Sequence, residues 1–227
     1  MQALLASPWL WITLCVMVAD WLAAGFKKKP VRYVTKPAAM LLLIFWFTEI
    51  SGWRGSLAWF GVGLVFSLLG DILLLRPDRG FLFGLAAFLL GHLAYIIGFN
   101  ALPFRWNPLL LLALAAVGAA AGLIGRHILR GLKRGQSYSR MKKPVLAYIA
   151  VIALMVLSAL VCFFRPGWPP VAAALSSLGA LSFLISDSIL ASDRFVRRRW
   201  WAGVTIMVTY YLGQVLIIAG ALLAFSK

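Results

Sequence analysis

Long apolar stretches repeat along the chain from end to end, separated at short intervals by clusters of Lys, Arg, Pro and Gly. A transmembrane α-helix needs about 20 mostly apolar residues. The pattern offers eight such runs, roughly 8–26, 36–51, 56–75, 80–100, 108–125, 144–164, 170–191 and 200–225. The expected architecture is all-α: a polytopic transmembrane helical bundle of eight spans, forming one domain over 1–227. The second run is the shortest and opens with Lys36-Pro37, where a proline in the first helical turn is tolerated. The segments Arg76-Pro77-Asp78-Arg79-Gly80 and Arg165-Pro166-Gly167-Trp168-Pro169-Pro170 read as tight loops between antiparallel neighbours. No linker is long enough to separate a second domain, and no internal repeat stands out.

Charge then orients the bundle. The chain has 22 Lys and Arg against 6 Asp and Glu, a formal charge of +16 over 227 residues. The basic residues lie between the apolar runs, a distribution that argues for a membrane surface and against nucleic acid. Counting Lys36 with the first connection, those after runs 1, 3, 5 and 7 hold 18 of them. The remaining connections and the C-terminus hold 4. Positively charged connections stay in the cytoplasm, so both termini are expected on the non-cytoplasmic side. Lys27-Lys28-Lys29 directly follows the first run, which lacks a basic leader and reads as a retained helix. The basic segment 126–143, with Ile128, Leu129 and Leu132 interspersed, reads as an interfacial stretch on anionic headgroups. Cys15 and Cys162 both lie in apolar runs without paired spacing, and read as buried free thiols.

Polar groups inside the apolar runs carry the chemistry. An ionisable side chain in the bilayer costs roughly 2.5–3.5 kcal/mol on insertion scales, so it marks function by default. Asp71 and Asp187 are two such groups, each expected about one turn from the cytoplasmic boundary. Asp71 shares a face with Gly63 and Ser67, beside Gly70; Gly179, Ser182 and Ser186 form a similar face beside Asp187. Small residues let helices approach closely. Either aspartate alone could serve only to bond a neighbouring helix; two at one depth suggest a shared site.

Asp20, Lys36, His92, Tyr95, Tyr210, Tyr211 and Gln214 fall in the same half of the membrane, and a pocket there would satisfy them together. His92, Tyr95 and Phe99 share one helical face, and Tyr210 and Gln214 are an i, i+4 pair. Asp20 and Lys36 could pair with each other or meet a lipid phosphate, and Lys36 could also simply snorkel. Glu49 and Asn100 lie toward the opposite boundary. A metal site is not expected, because the other histidine, His127, sits in the basic segment far from His92.

At these positions the chain resembles the YhhN/TMEM86 family of multispanning membrane proteins. The matching pieces are Lys36-Pro37, Leu69-Gly70-Asp71, Phe81-Leu82-Phe83-Gly84-Leu85, His92-Leu93-Ala94-Tyr95, Ser186-Asp187-Ser188 with Leu190-Ala191, and Gln214 with Leu216-Ile217. The resemblance implies a lysoplasmalogenase: hydrolysis of the vinyl ether of a lysophospholipid to a fatty aldehyde and a glycerophospho-alcohol, without cofactor. Vinyl ether hydrolysis needs an acid to protonate the β-carbon and a carboxylate to stabilise the oxocarbenium ion, much as in glycosidases. Asp71 and Asp187 are the candidates for that pair. Lys36 and Asp20 would lie near the phosphate, and His92, Tyr95, Ser186, Tyr210 and Gln214 would line the site. A bacterial inner membrane is the expected location. A lipid or small-molecule transporter, or a non-catalytic lipid-binding protein, would use the same buried polar groups differently.

Overall fold

The computed structural model describes residues 4, 6–75, 77–133 and 138–225. They form eight long helices: α1 (Pro8–Gly25), α2 (Lys29–Ser51), α3 (Leu57–Leu74), α4 (Pro77–Phe99), α5 (Leu109–Lys133), α6 (Tyr138–Val161), α7 (Pro170–Phe195) and α8 (Ala202–Phe225). Each holds a segment long and apolar enough to cross a membrane. The helices pack first as sequential antiparallel hairpins, α1 with α2, α3 with α4, α5 with α6 and α7 with α8. Of its most apolar window, α8 buries 56%, and it touches α1, α2 and α3 as well as α7. The corresponding figure for α5 is 11%, so α8 is the axis of the bundle and α5 its margin.

Large apolar side chains such as Leu22, Val34, Leu112, Leu123 and Ile185 point outward. A surface of this kind belongs in hydrocarbon, where helices already satisfy their own backbone polar groups. Exposed tryptophans mark both ends of the bundle, Trp200 and Trp201 at one and Trp11 and Trp106 at the other, where headgroup regions favour indole rings. Of the two thiols, Cys162 is buried as expected, but Cys15 lies on the exposed face of α1.

Several helices run past the apolar segments that announced them. Helix α2 starts at Lys29, with Pro30 in its first turn, so Pro37 lies inside the helix instead of opening it. The proline removes one backbone hydrogen bond but does not end the helix. Pro144 is likewise inside α6. Helix α4 begins at Pro77, so the loop expected over 76–80 is mostly helix, and Arg76 is outside the described residues. Gly80 is needed there, since a Cβ would sit 2.2 Å from the Leu73 carbonyl oxygen.

The basic segment 126–143 is also mostly helix and does not lie flat on the surface. Residues up to Lys133 continue α5 and those from Tyr138 begin α6, while 134–137 are outside the described residues. Ile128 and Leu132, four residues apart, are buried, and His127 Nε2 lies 3.0 Å from Ser192 Oγ on α7. Ile128 and Leu132 therefore face protein, while Leu129 is only half-buried. Hydropathy locates the part of a helix that meets hydrocarbon; the hydrogen-bond ladder continues into the headgroup zone, where charge is tolerated.

Candidate active site

Small residues on α3 and α7 set the directions of the two aspartates. On α3, a Cβ at Gly63 would fall 2.2 Å from the Tyr95 ring, and one at Gly70 2.6 Å from Phe88. This face is closed against α4, and Asp71, one residue on, turns away from it toward α2 and α8. On α7, a Cβ at Gly179 would come within 2.7 Å of the Ile217 backbone nitrogen on α8. Ser182 Oγ and Ser186 Oγ donate to the carbonyls of Thr209 and Ile206, at 2.8 and 3.0 Å. These contacts hold α7 against α8, and Asp187 is turned about 100° from Ser186, toward α4 and α6.

Asp71 is 1% exposed and meets Lys36 Nζ from α2 at 2.9 Å. Tyr210 on α8 donates to its other oxygen, Oδ2, at 2.8 Å. Behind Tyr210, the Gln214 amide nitrogen lies 3.4 Å from the Tyr210 hydroxyl, and the Tyr95 hydroxyl donates to Gln214 Oε1 at 2.6 Å. Every donor in the sequence Tyr95, Gln214, Tyr210 points one way and ends on Asp71, which is the arrangement that suits an acceptor carrying negative charge.

Asp187 has different company. The Tyr148 hydroxyl, from α6, donates to Oδ2, and His92 Nε2 lies 3.4 Å from the same oxygen. The Tyr148 oxygen and His92 Nε2 are themselves 3.1 Å apart, so the three groups form a closed triangle. Phe183 meets the His92 ring edge-on at 4.7 Å, and His92 Nδ1 is buried without a hydrogen-bond partner. Among the described residues, no Lys or Arg forms an ion pair with Asp187.

Both aspartates line one cavity of about 640 Å³, sunk into the end of the bundle from which the basic connections emerge. Lys29, Arg32, Tyr33 and Lys36 face it from α2, Leu74 from the last turn of α3 and Leu75 just after it, Leu190 from α7, and Met207 and Tyr210 from α8. Leu74, Phe88, Asp187 and Leu190 also border a narrow crevice between α4, α5, α6 and α7, whose other walls include Phe81, Ile128, Ile149 and Leu184. A polar chamber thus adjoins an apolar slot, with Asp187 at the junction.

Of the residues marked out in the sequence, Asp71, Asp187, Lys36, Ser186 and Tyr210 line the cavity. His92, Tyr95 and Gln214 stand one layer back and reach it through Asp187 and Tyr210. The Ser186 hydroxyl is committed to the Ile206 carbonyl. Lys36 is held by Asp71, not by Asp20. Asp20 stands behind the wall, bonded by Thr35 Oγ1 at 2.8 Å and Tyr211 at 3.2 Å, with Arg32 Nε at 3.4 Å. Tyr148 and Arg32 escaped the sequence reading. Tyr148 stands one turn after Pro144 in an otherwise apolar run, a weak signal, and Arg32 looked like one more basic loop residue.

The fold and cavity define a multi-pass membrane protein with two carboxylates lining one cavity at one end of its helical bundle. The chain belongs to the YhhN family, whose sequence pattern matches residues 31–221. It is 32% identical over 214 residues to the mouse protein named lysoplasmalogenase TMEM86B, covering 94% of this chain and 80% of that one. The human TMEM86B lysoplasmalogenase is 33% identical, over 89% of this chain and 76% of its own. An Escherichia coli O157:H7 relative, named only as the uncharacterized membrane protein YhhN, is 30% identical over 92% of this chain and 97% of its own. No solved structure matches the chain.

Proposed function

We propose that the protein is a membrane-embedded lysoplasmalogenase, converting a lysoplasmalogen and water to a fatty aldehyde and glycerophosphocholine or glycerophosphoethanolamine. The names of the mammalian relatives, matched over about nine-tenths of this chain, support the reaction class. The observation that carries the mechanism is the unequal pair of carboxylates on one cavity, one ion-paired with an ammonium and the other, among the described residues, ion-paired with no Lys or Arg.

Asp187 is the proton donor. Tyr148 and His92 both engage Oδ2, which leaves Oδ1 to hold the proton that goes to the β-carbon of the vinyl ether. Protonation there creates an oxocarbenium ion at the carbon bonded to the ether oxygen. Asp71, paired with Lys36 and bonded by Tyr210, acts as the carboxylate that stabilises that cation and takes a proton from the attacking water. The product is a hemiacetal. As it collapses, its hydroxyl proton is lost and the ether oxygen gains one, releasing aldehyde and the glycerol hydroxyl. The proton on Asp71 returns to Asp187 through the cavity, and the cycle closes with one water consumed. The apolar slot beside Asp187 marks the direction in which the alkenyl chain leaves the cavity toward hydrocarbon.

The distribution of basic residues supports a bacterial inner membrane, with the cavity opening to the cytoplasmic leaflet and both termini outside. Arg126, Arg130 and Arg140 at the ends of α5 and α6 suit anionic headgroups there. The test is aldehyde release from a lysoplasmalogen by purified protein in detergent, where transport has no meaning. Turnover by the wild type and none by Asp71→Asn or Asp187→Asn is expected. Turnover retained in both variants would remove the carboxylate mechanism, and a folded but inactive wild type would remove the reaction.

A further inference from the structure

With Lys36 tied to Asp71, the cavity needs another cation for its ligand's phosphate, and α2 supplies a graded series. Lys29, Arg32, Tyr33 and Lys36 follow the i, i+3, i+4, i+7 spacing of one helical face, and all four line the cavity. Lys36 is the deepest and is 6% exposed. The Arg32 side chain is 26% exposed. Its Nε faces Asp20, and Nη2 lies 2.8 Å from Met207 Sδ. Asp20 is itself fixed by Thr35 and Tyr211, so the guanidinium is held in place from behind. Among the described residues, Nη1 of Arg32 makes no hydrogen bond and Lys29 forms no ion pair.

We infer that Arg32 and Lys29 form a phosphodiester site, which holds the headgroup phosphate of a single-chain lipid whose reactive bond lies between Asp71 and Asp187. This rests on the proposed reaction for the position of that bond. The spacing fits. The carbon attacked by water is six bonds from phosphorus along the glycerol, and an extended chain advances about 1.2 Å per bond, giving roughly 7 Å. Along α2, Arg32 lies four residues and Lys29 seven residues from Lys36, roughly 6 and 10 Å at 1.5 Å per residue. A substrate with its vinyl ether beside Asp71 therefore sets its phosphate between those two side chains. An arginine with a free edge beside a lysine is a donor set suited to a phosphodiester, and Asp20 is the positioning residue for Arg32.

The experiment compares a lysoplasmalogen with the matching 1-O-alkenylglycerol, which lacks the phosphate, in the wild type, Lys29→Gln and Arg32→Gln. The wild type should favour the lysoplasmalogen in KM, and each variant should shrink that preference about tenfold. Equal loss on both substrates, or no loss, overturns the site. Lys29 is exposed at the start of α2, so Lys29→Gln remains informative if Arg32→Gln disturbs Asp20 and fails to fold. Binding of a non-cleavable 1-O-alkyl lysophosphocholine to the detergent-solubilised protein, measured by calorimetry, separates this inference from the reaction. Binding that is stronger than that of 1-O-alkylglycerol and weakened by Lys29→Gln supports the site even if no aldehyde is ever formed. Displacement of that lipid by an equal concentration of inorganic phosphate would show a free-anion site and overturn the lipid assignment.

Discussion

Asp71 and Asp187 reach the same cavity from helices running in the same direction, and each sits beside a face of small residues packed on the next helix. Their partners differ in kind. Asp71 has a lysine at 2.9 Å and a tyrosine whose hydroxyl is backed by Gln214 and Tyr95. Asp187 has a tyrosine and a histidine on one oxygen and, among the described residues, no ion pair with Lys or Arg. Two identical carboxylates side by side would compete for one role. In the proposed mechanism, a cation beside one and not the other would divide the work into anion and proton donor, the separation that acid–base pairs depend on.

The largest effect expected is loss of turnover on removing either carboxylate. In the proposed mechanism Asp187→Asn would not deliver the proton and Asp71→Asn would not balance the cation, and general acid–base groups each contribute roughly 10²–10⁴-fold. Aldehyde release measured on folded protein checks both. Inactivity of Asp187→Asn with near-normal rates for Asp71→Asn would leave one working carboxylate and dissolve the pair.

Stability should distinguish the two carboxylates as well. Lys36→Met leaves the buried Asp71 without its cation, and breaking a buried pair from one side costs about 3–5 kcal/mol. The double variant Lys36→Met with Asp71→Asn removes both charges and should recover much of that loss while remaining inactive. Thermal unfolding in detergent reads the difference. If the double variant is no more stable than the single one, the two side chains are not an ion pair in the folded protein. No comparable rescue is expected at Asp187, where, among the described residues, neutralising the carboxylate strands no ion-paired Lys or Arg.

The contrast was only half legible in the chain itself. Eight spans could be counted because hydrocarbon demands apolar runs of a set length and the basic residues alternate with them. Asp71 and Asp187 stood out because carboxylates are rare in such runs. What gives them different roles was hidden, because it depends on which helices touch. Lys36 has equal reasons in sequence to meet Asp20, a lipid phosphate or water, and only the packing of α2 beside α3 and α8 gives it to Asp71. Tyr148 was invisible for the opposite reason, since one tyrosine in an apolar run usually only packs. The part of α2 before Lys36 was taken for loop because charge masks helix beyond the hydrocarbon boundary, and those hidden two turns bring Lys29 and Arg32 to the cavity.

Tyr148→Phe tests the Asp187 side more gently. The phenyl ring keeps the packing and removes the hydroxyl that fixes Oδ2. We expect kcat to fall about tenfold, the scale of one lost hydrogen bond to a charged or reacting group, with KM little changed. The same substitution at Tyr210 should lower kcat less, because Lys36 still holds Asp71. Equal losses at the two tyrosines would mean that the hydroxyls, not the lysine, set the division between the carboxylates.

The smallest effect belongs to Ser186. It lies on the cavity wall next to Asp187, where sequence reasoning placed it against the substrate, yet its hydroxyl is spent on the Ile206 carbonyl across the α7–α8 contact. Ser186→Ala removes one side-chain hydrogen bond to a backbone acceptor, a loss of about 0.5–1.5 kcal/mol. The Ser182 bond to Thr209 and the close approach of Gly179 to Ile217 remain to hold the two helices together. Asp187 therefore keeps its direction, and kcat for aldehyde release should stay within about twofold while the unfolding temperature drops slightly. A large fall in kcat without loss of stability would instead put the Ser186 hydroxyl on the substrate, and the Asp187 side of the cavity would then have a second group at the reacting bond.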